Sequence, residues 1–248
     1  MKIKNVLIVG LGEIGTALSE IIKDHSKYLL QTRDLTEHHI VLPIDIMHIC
    51  YPWTETFIET TVNYMTRYKP KLTIIESTVL PQTTRMLWDL THKMPIVHSP
   101  VRGSHKENIK SGLLRYTKFI GGICDNKYTR QAEHYYQTLG LKTCVCKNSL
   151  TTEFIKILST TYYGLLITWW QEIRRISNKF RLSENEIRQW FLTNTLESNF
   201  QHTRPIMYPG KIGGHCVLPN LNLLKQVFPS KFIDVILESN EKAKENEN

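Results

Sequence analysis

The sequence predicts an α/β fold, a doubly wound parallel sheet followed by a smaller all-helical domain. Three observations predict it. Gly10, Gly12 and Gly15 stand in G-x-G-x-x-G spacing directly after an apolar run at 6–9. Short apolar runs then alternate with helix-patterned segments as far as about 148. From Leu150 onward those runs stop and a long helical periodicity takes over. Alternating strands and helices imply a mostly parallel sheet, with ligands at the carboxyl ends of its strands.

Residues 6–9, rich in valine and isoleucine, suit a strand buried on both faces. Ile14, Ala17, Leu18, Ile21 and Ile22 follow at helical spacing, so the glycines fall on a strand-to-helix turn. Gly10 permits the tight turn, Gly12 lets a pyrophosphate approach the backbone, and Gly15 lets helix and strand pack closely. Glu13 and Ile14 open the helix, whose N-terminus offers free N–H groups and partial positive charge to phosphates. This is a Rossmann-type turn for NAD or NADP. The alternative is a glycine-rich turn that binds nothing.

Residues 28–31 form the second strand. Its end normally carries an acidic residue about 20 positions past the glycines, accepting hydrogen bonds from the ribose of NAD. Here the segment reads Gln31-Thr-Arg-Asp34. With Thr32 in the acidic position, Arg33 follows it and favours the 2′-phosphate of NADP. With a longer strand, Asp34 is the ribose ligand and NAD is favoured. His38 and His39 fall in a loop.

Residues 44–50 form the next strand, ending in Tyr51-Pro52, and 56–68 a helix. A strand at 72–75 runs into Glu76-Ser-Thr-Val79. Pro81 opens a further helix, since proline is favoured at a first helical position. Residues 95–98 form a short strand running into Ser99-Pro100, and 116–120 another before Gly121-Gly122. A helix at 129–139 is closed by Gly140, and 141–146 is the last strand. Between 150 and about 180, Ile155, Leu158, Tyr162, Leu165, Leu166, Trp169 and Ile173 share one broad face of a long helix. That face either lies in a helical core or pairs with a second copy, giving a homodimer through helix 150–180. Ser183-Glu-Asn-Glu186 is a capping-box start for a helix to about 197. Residues 205–219 read as a loop, 222–228 and 231–240 as short helices, and 241–248 as a polar tail. The domains are therefore 1–148, dinucleotide-binding, and 149–240, helical.

A chain of 248 residues can bury a core without disulfides. Its five cysteines show no paired spacing and no signal peptide precedes them, which points to a reducing, cytoplasmic setting. Cys144 and Cys146 lack partners for zinc, and His98 and His215 lack ligand company, so no metal is expected. No apolar run approaches transmembrane length, so no membrane is expected as a partner. The formal charge of +8 suits an anionic cofactor and a small anionic substrate. The basic residues are scattered and no nucleic-acid motif is present, which argues against nucleic acid.

Residues 208–220 read YPGKIGGHCVLPN, with glycines crowded around Cys216 just before a predicted helix. Backbone N–H groups, Lys211 and a helix start favour thiolate over thiol, which is how a nucleophilic cysteine is made. A buried cysteine acting as a small apolar residue is the plainer alternative. The polar, glycine-rich surroundings argue against it.

These segments, in this order, resemble the nucleotide-sugar 6-dehydrogenase family, which oxidises UDP-glucose, GDP-mannose and UDP-N-acetylmannosamine. The matching stretches are the turn from Gly10 to Gly15, Ile49-Cys-Tyr-Pro52, Glu76-Ser-Thr-Val79, Ser99-Pro100 followed by Arg102, Lys118-Phe-Ile-Gly-Gly122, Glu153-Phe-Ile-Lys156 and Gly213-Gly-His-Cys216. The resemblance implies contacts from Tyr51, Pro52, Ser77 and Thr78 to the cofactor. It implies Cys216 as the nucleophile that captures an aldehyde as a thiohemiacetal, and Lys156 as the oxyanion stabiliser. It implies Thr78 as the residue holding a water or the reacting hydroxyl. Arg102, Thr160, Gly213, Gly214, His215 and Asn220 fall at substrate-side positions. Read from the residues alone, Arg102 and His105 either bind an anionic substrate after the 95–98 strand or are surface charge.

Three positions depart from the pattern. Val101 replaces the family's glutamate, Thr160 its asparagine and Asn220 its aspartate. An amide is no general base at neutral pH and valine has no polar group, so the resemblance carries hydride transfer further than thioester hydrolysis. The family's third, nucleotide-gripping domain would begin near where this sequence ends. Two other readings stand beside it. One is a dehydrogenase of the 6-phosphogluconate or hydroxyisobutyrate type, acting on a small anionic acid. The other is a non-catalytic dinucleotide-binding protein.

Overall fold

The structure, a computed structural model, describes residues 3–35, 39–103, 108–123, 126–214 and 216–245. His38, His105 and His215 lie outside the described residues. The chain divides into two compact units, Met1–Lys156 and Ile157–Asn248. The division falls inside a helix, beyond the 148/149 boundary expected from sequence.

In the first unit, β1 (Lys4–Val9), β2 (Tyr28–Arg33), β3 (Ile46–Ile49), β4 (Thr73–Ile75) and β5 (Ile96–His98) form a five-stranded sheet in the order β2-β1-β3-β4-β5. Every pairing is parallel. The order reverses between β1 and β3, the switch point where such sheets bind ligands. β1 is buried on both faces. Val6 and Ile8 pack with Leu18, Ile22 and Tyr136 on one side, and Leu7 and Val9 with Phe57, Met65 and Leu87 on the other. Those partners come from α1 (Glu13–Lys23), α2 (Phe57–Tyr68), α3 (Thr83–Leu90) and α5 (Asn126–Thr138).

β6 (Lys118–Ile120) and β7 (Thr143–Val145) form a separate parallel pair, tied to β5 by an antiparallel bridge between His98 and Gly121. Some boundaries differ from expectation. β2 runs on through Arg33. Pro81 lies in a turn, and α3 starts at Thr83 because Gln82 takes a left-handed conformation at φ 78°. The short helix α4 (Ile109–Arg115), capped by the Asn108 side chain, was not anticipated.

The second unit contains most of α6 (Ser149–Phe180), then α7 (Glu184–Glu197), α8 (Val217–Val227) and α9 (Lys231–Glu245). Ser183 caps α7 as expected, accepting from the Glu186 amide. The expected loop to 219 is cut short by α8, which starts at Val217 and holds Pro219 in its first turn, where proline's missing N–H costs little. α9 continues to Glu245, past the expected stop at 240.

On α6 the structure decides against one of the two expectations, a face lying in a helical core. Leu158, Tyr162 and Trp169 are 50%, 58% and 51% exposed, and of that face Ile173 alone is fully buried. The buried side instead carries Ile157, Thr161, Gly164, Thr168 and Gln171. Gly164 is the physical reason. A Cβ there would lie 2.9 Å from Val217 Cγ1 and 3.6 Å from Ile236 Cγ2, so the small-residue side is what admits α8 and α9.

Candidate dinucleotide turn and cysteine loop

The turn after β1 is built by backbone proximity. Gly10 has φ +93°, and a Cβ on it would come within 2.8 Å of the Tyr51 amide nitrogen, so the β1 turn abuts the end of β3. A Cβ on Gly15 would lie 1.9 Å from the Gly10 carbonyl oxygen. Around Gly12 the opposite holds, with nothing within 4 Å of an added Cβ. Gly12 is also the N-cap of α1 and supplies no side-chain acceptor to its first amides. Backbone donors on an uncrowded turn are what a pyrophosphate requires, so these residues fit a dinucleotide. A cavity of about 510 Å³ opens here, lined by Leu11, Gly12, Glu13, Thr16 and Ile109. Glu13 is exposed and Ile14 half-buried against the core.

At the end of β2, Thr32 is half-buried. Arg33 is 7% exposed, its guanidinium 5.5 Å from the centre of the Tyr64 ring and its Nε donating to Tyr64 Oη at 3.4 Å. The Gly10 amide donates to the Arg33 carbonyl at 2.8 Å, which puts Asp34, exposed, first past the strand.

The ends of β3 and β4 are braced together. Ser77 is buried, and its hydroxyl donates to the Tyr51 carbonyl at 2.6 Å. The Tyr51 hydroxyl bonds Thr61, while Pro52 is exposed and Thr78 half-buried. Glu76, at the head of the matching segment, faces inward. It is fully buried, with carboxylate oxygens bonded to His48 Nδ1, Tyr136 Oη and Lys118 Nζ. Burial alone would raise its pKa, but the Lys118 ammonium and the His48 bond outweigh that and hold it down at about 2. Lys118 Nζ also donates to the Ser99 carbonyl. His98 is held neutral by burial, its pKa lowered to about 4. Its Nε2 donates to the Ser77 carbonyl at 3.1 Å and its Nδ1 accepts from Thr152 at 2.8 Å.

The first turns of α6 are fixed by a carboxylate. Glu153 is 1% exposed and accepts from the Gln82 amide at 2.7 Å and the Thr84 amide at 2.9 Å. It thereby caps α3, whose own N-cap residue makes no side-chain bond. One turn on, Lys156 Nζ donates to the Val101 carbonyl at 2.9 Å. Val101 itself is buried in the core. Arg102 is exposed, its guanidinium 5.6 Å from the Tyr116 ring centre and 5.4 Å from that of Phe119. Gly121 is required where it stands, since a Cβ would lie 2.3 Å from the Asn148 carbonyl oxygen just before α6.

In the second unit, Cys216 is the N-cap residue of α8 and is partly exposed. Gly213 and Gly214 before it are exposed, Gly214 at φ +80°. Thr160 and Asn220, two of the positions that depart from the family pattern, are bonded to each other. Asn220 Nδ2 donates to Thr160 Oγ1 at 2.9 Å, and that hydroxyl donates to the Ile157 carbonyl at 2.8 Å. Neither group takes a proton at neutral pH. Among the described residues no cluster of three or more His, Cys, Asp or Glu could hold a metal ion, and no helix is long and apolar enough to cross a membrane.

No protein-family model matches this chain. UDP-N-acetyl-D-mannosamine dehydrogenase of Methanococcus vannielii is 23% identical over 291 residues, covering 97% of this chain and 66% of that protein. In sequence the chain is similar to nucleotide-sugar dehydrogenases. The enzyme of the same name from Methanocaldococcus jannaschii is 29% identical over 151 residues, 59% of this chain and 33% of that one. The chain thus spans about two thirds of one of these nucleotide-sugar dehydrogenases and a third of the other. Two solved structures share the fold. UDP-D-ManNAc dehydrogenase from Pyrococcus horikoshii matches with TM-score 0.80 at 19% identity, over 96% of this chain and 68% of that one. The 3-hydroxyisobutyrate dehydrogenase of Mycobacterium tuberculosis matches with TM-score 0.73 at 16% identity, over 98% and 93%.

Proposed function

We propose that this chain is a nicotinamide-dependent dehydrogenase of a sugar or sugar-nucleotide alcohol, or of the aldehyde in reverse. The observation that carries the reading is the uncrowded Gly12 turn at the switch point of the sheet. A bound nicotinamide dinucleotide would supply hydride exchange. Thr78 holds the reacting hydroxyl, Lys156 steadies the developing oxyanion, and Cys216 adds to the aldehyde carbon as a thiohemiacetal. Arg102 suits an anionic group on the substrate. With Thr160 and Asn220 bonded to each other, no side chain of that pair activates water, which favours a single oxidation over two.

The test is cofactor reduction against nucleotide sugars, sugar phosphates and small hydroxy acids, with Cys216→Ser in parallel. One hydride per nucleotide sugar, with the variant slowed about 100-fold or more, is expected. Saturable NADH binding with no turnover on any substrate would overturn the catalytic reading and leave a dinucleotide-binding protein. The near-complete coverage of 3-hydroxyisobutyrate dehydrogenase favours a second reading, a dehydrogenase of small hydroxy acids, and turnover of such an acid indifferent to Cys216 would establish it.

NAD is the expected cofactor. β2 runs through Arg33, leaving Asp34 as the ribose ligand, while Arg33 packs on Tyr64. Asp34→Asn should weaken NADH binding about tenfold, the worth of one charge-assisted hydrogen bond. Arg33→Ala should weaken NADH and NADPH alike. A loss confined to NADPH would mean that Arg33 reads a 2′-phosphate.

We also propose that the exposed α6 face, with Leu158, Tyr162 and Trp169, pairs with a second copy. Light scattering should give a dimer that Trp169→Glu dissociates. A monomeric wild type would sink this pairing.

A further inference from the structure

We infer that Gln171, Ser239 and Asn240 form a buried clamp that fixes the base of the cysteine loop and so positions Cys216. Their role as positioning residues rests on the reading of Cys216 as nucleophile given above. The loop between α7 and α8 has no secondary structure of its own, yet the backbone at its base is held by side chains. Gln171 Nε2 donates to the Gly210 carbonyl at 2.8 Å. Ser239 Oγ donates to Gln171 Oε1 at 2.7 Å, and Arg175 Nη2 donates to Ser239 Oγ at 2.8 Å. Asn240 Oδ1 accepts from the Ile212 amide at 2.6 Å. Upstream, Trp170 Nε1 donates to the Pro205 carbonyl at 2.9 Å.

Gln171, Ser239 and Asn240 are 2%, 4% and 1% exposed. Burying amides and hydroxyls is unfavourable unless each finds a partner. Here the partners are the loop's own backbone groups or the clamp itself. Ile212 is buried on the same base, whereas Gly213 and Gly214 are exposed. The clamp therefore ends at Ile212, and Cys216 is already the N-cap of α8. Ile212 and Cys216 are only four positions apart in the chain, so the base of the loop sets where the thiol can sit. Displacing a reacting group by about 1 Å can cost about 100-fold in rate.

The variants are Gln171→Met and Asn240→Leu, which remove the loop bonds, Asn240→Asp, which keeps the acceptor, and Ser239→Ala as the mildest change. Each is read by iodoacetamide alkylation of Cys216 against pH, resolved by peptide mass spectrometry. kcat, KM, NADH binding and thermal melting are followed in parallel. The first two should change the Cys216 alkylation rate and lower kcat by about tenfold or more, with KM and NADH affinity little changed. Asn240→Asp should restore most of both. If Gln171→Met or Asn240→Leu fails to fold, Ser239→Ala carries the same readings at smaller amplitude. Folded variants with wild-type alkylation and kcat would overturn the clamp. If Cys216→Ser retains turnover, the nucleophile reading fails, and alkylation alone still decides whether the clamp positions the thiol.

Discussion

Lys118→Met should destabilise the first unit by about 3–5 kcal/mol, the cost of leaving a buried carboxylate without its counter-charge. Glu76 and Lys118 are 1% and 2% exposed, so water cannot replace the lost partner. Urea unfolding is the measurement. A double variant, Glu76→Leu with Lys118→Met, should recover much of the loss, since it removes the stranded charge as well. A single variant as stable as wild type would mean that Glu76 is already protonated in the fold. The same network sets the acid limit. Glu76 titrates near 2 in the fold against 4.5 ordinarily, so its contribution is complete above 4.5 and is lost as pH falls toward 2. His98 titrates near 4 against 6.5, so its contribution is complete above 6.5 and is lost as pH falls toward 4. Each step spans roughly 3 kcal/mol. Lys118→Met should abolish the lower step and leave most of the upper one, which burial of the imidazole sets first and the Lys118 charge only in part.

Gly15→Ala should abolish dinucleotide binding and lower the melting temperature together. Its methyl would stand 1.9 Å from the Gly10 carbonyl oxygen, and that obstacle is backbone, with no side chain to swing aside. The turn itself must open, and with it the donors presented by α1. Gly12→Ala separates the two effects. Nothing lies within 4 Å of the added methyl, so folding should be unchanged, but the methyl takes the space of an approaching pyrophosphate. NADH titration should show a loss of about 100-fold or more in both variants, and melting a loss in Gly15→Ala alone. Wild-type NADH affinity in Gly12→Ala would move the cofactor away from this turn.

What the sequence made legible is local. The β1 turn, the Ser183 cap and the length of α6 each depend on residues a few positions apart, and each appears where expected. The strand edges were less legible, because the pairing that extends β2 to Arg33 is made by β1. α4 is too short to carry a period. Periodicity announced an apolar face on α6 but neither what would cover it nor that a single glycine, Gly164, turns the other face inward. Glu153 is bonded to residues about seventy positions away, Glu76 to Lys118 across about forty, and Gln171 to Ser239 across nearly seventy. Nothing at those positions distinguishes a buried polar group from a surface one until the chain is folded. The Thr160–Asn220 bond is of the same kind, since the two departures are visible in sequence and their contact is not.

The Glu153 cap also decides where the chain can be cut. Thr152, Glu153 and Lys156 lie at the start of α6, yet each is bonded within the first unit. A fragment ending at 148, the place that secondary structure suggests, would leave the α3 amides uncapped and remove the hydroxyl that His98 bonds. A fragment that keeps these bonds therefore runs to Lys156, inside a helix, and a swap or fusion made at the helix boundary would separate the sheet from part of its own support.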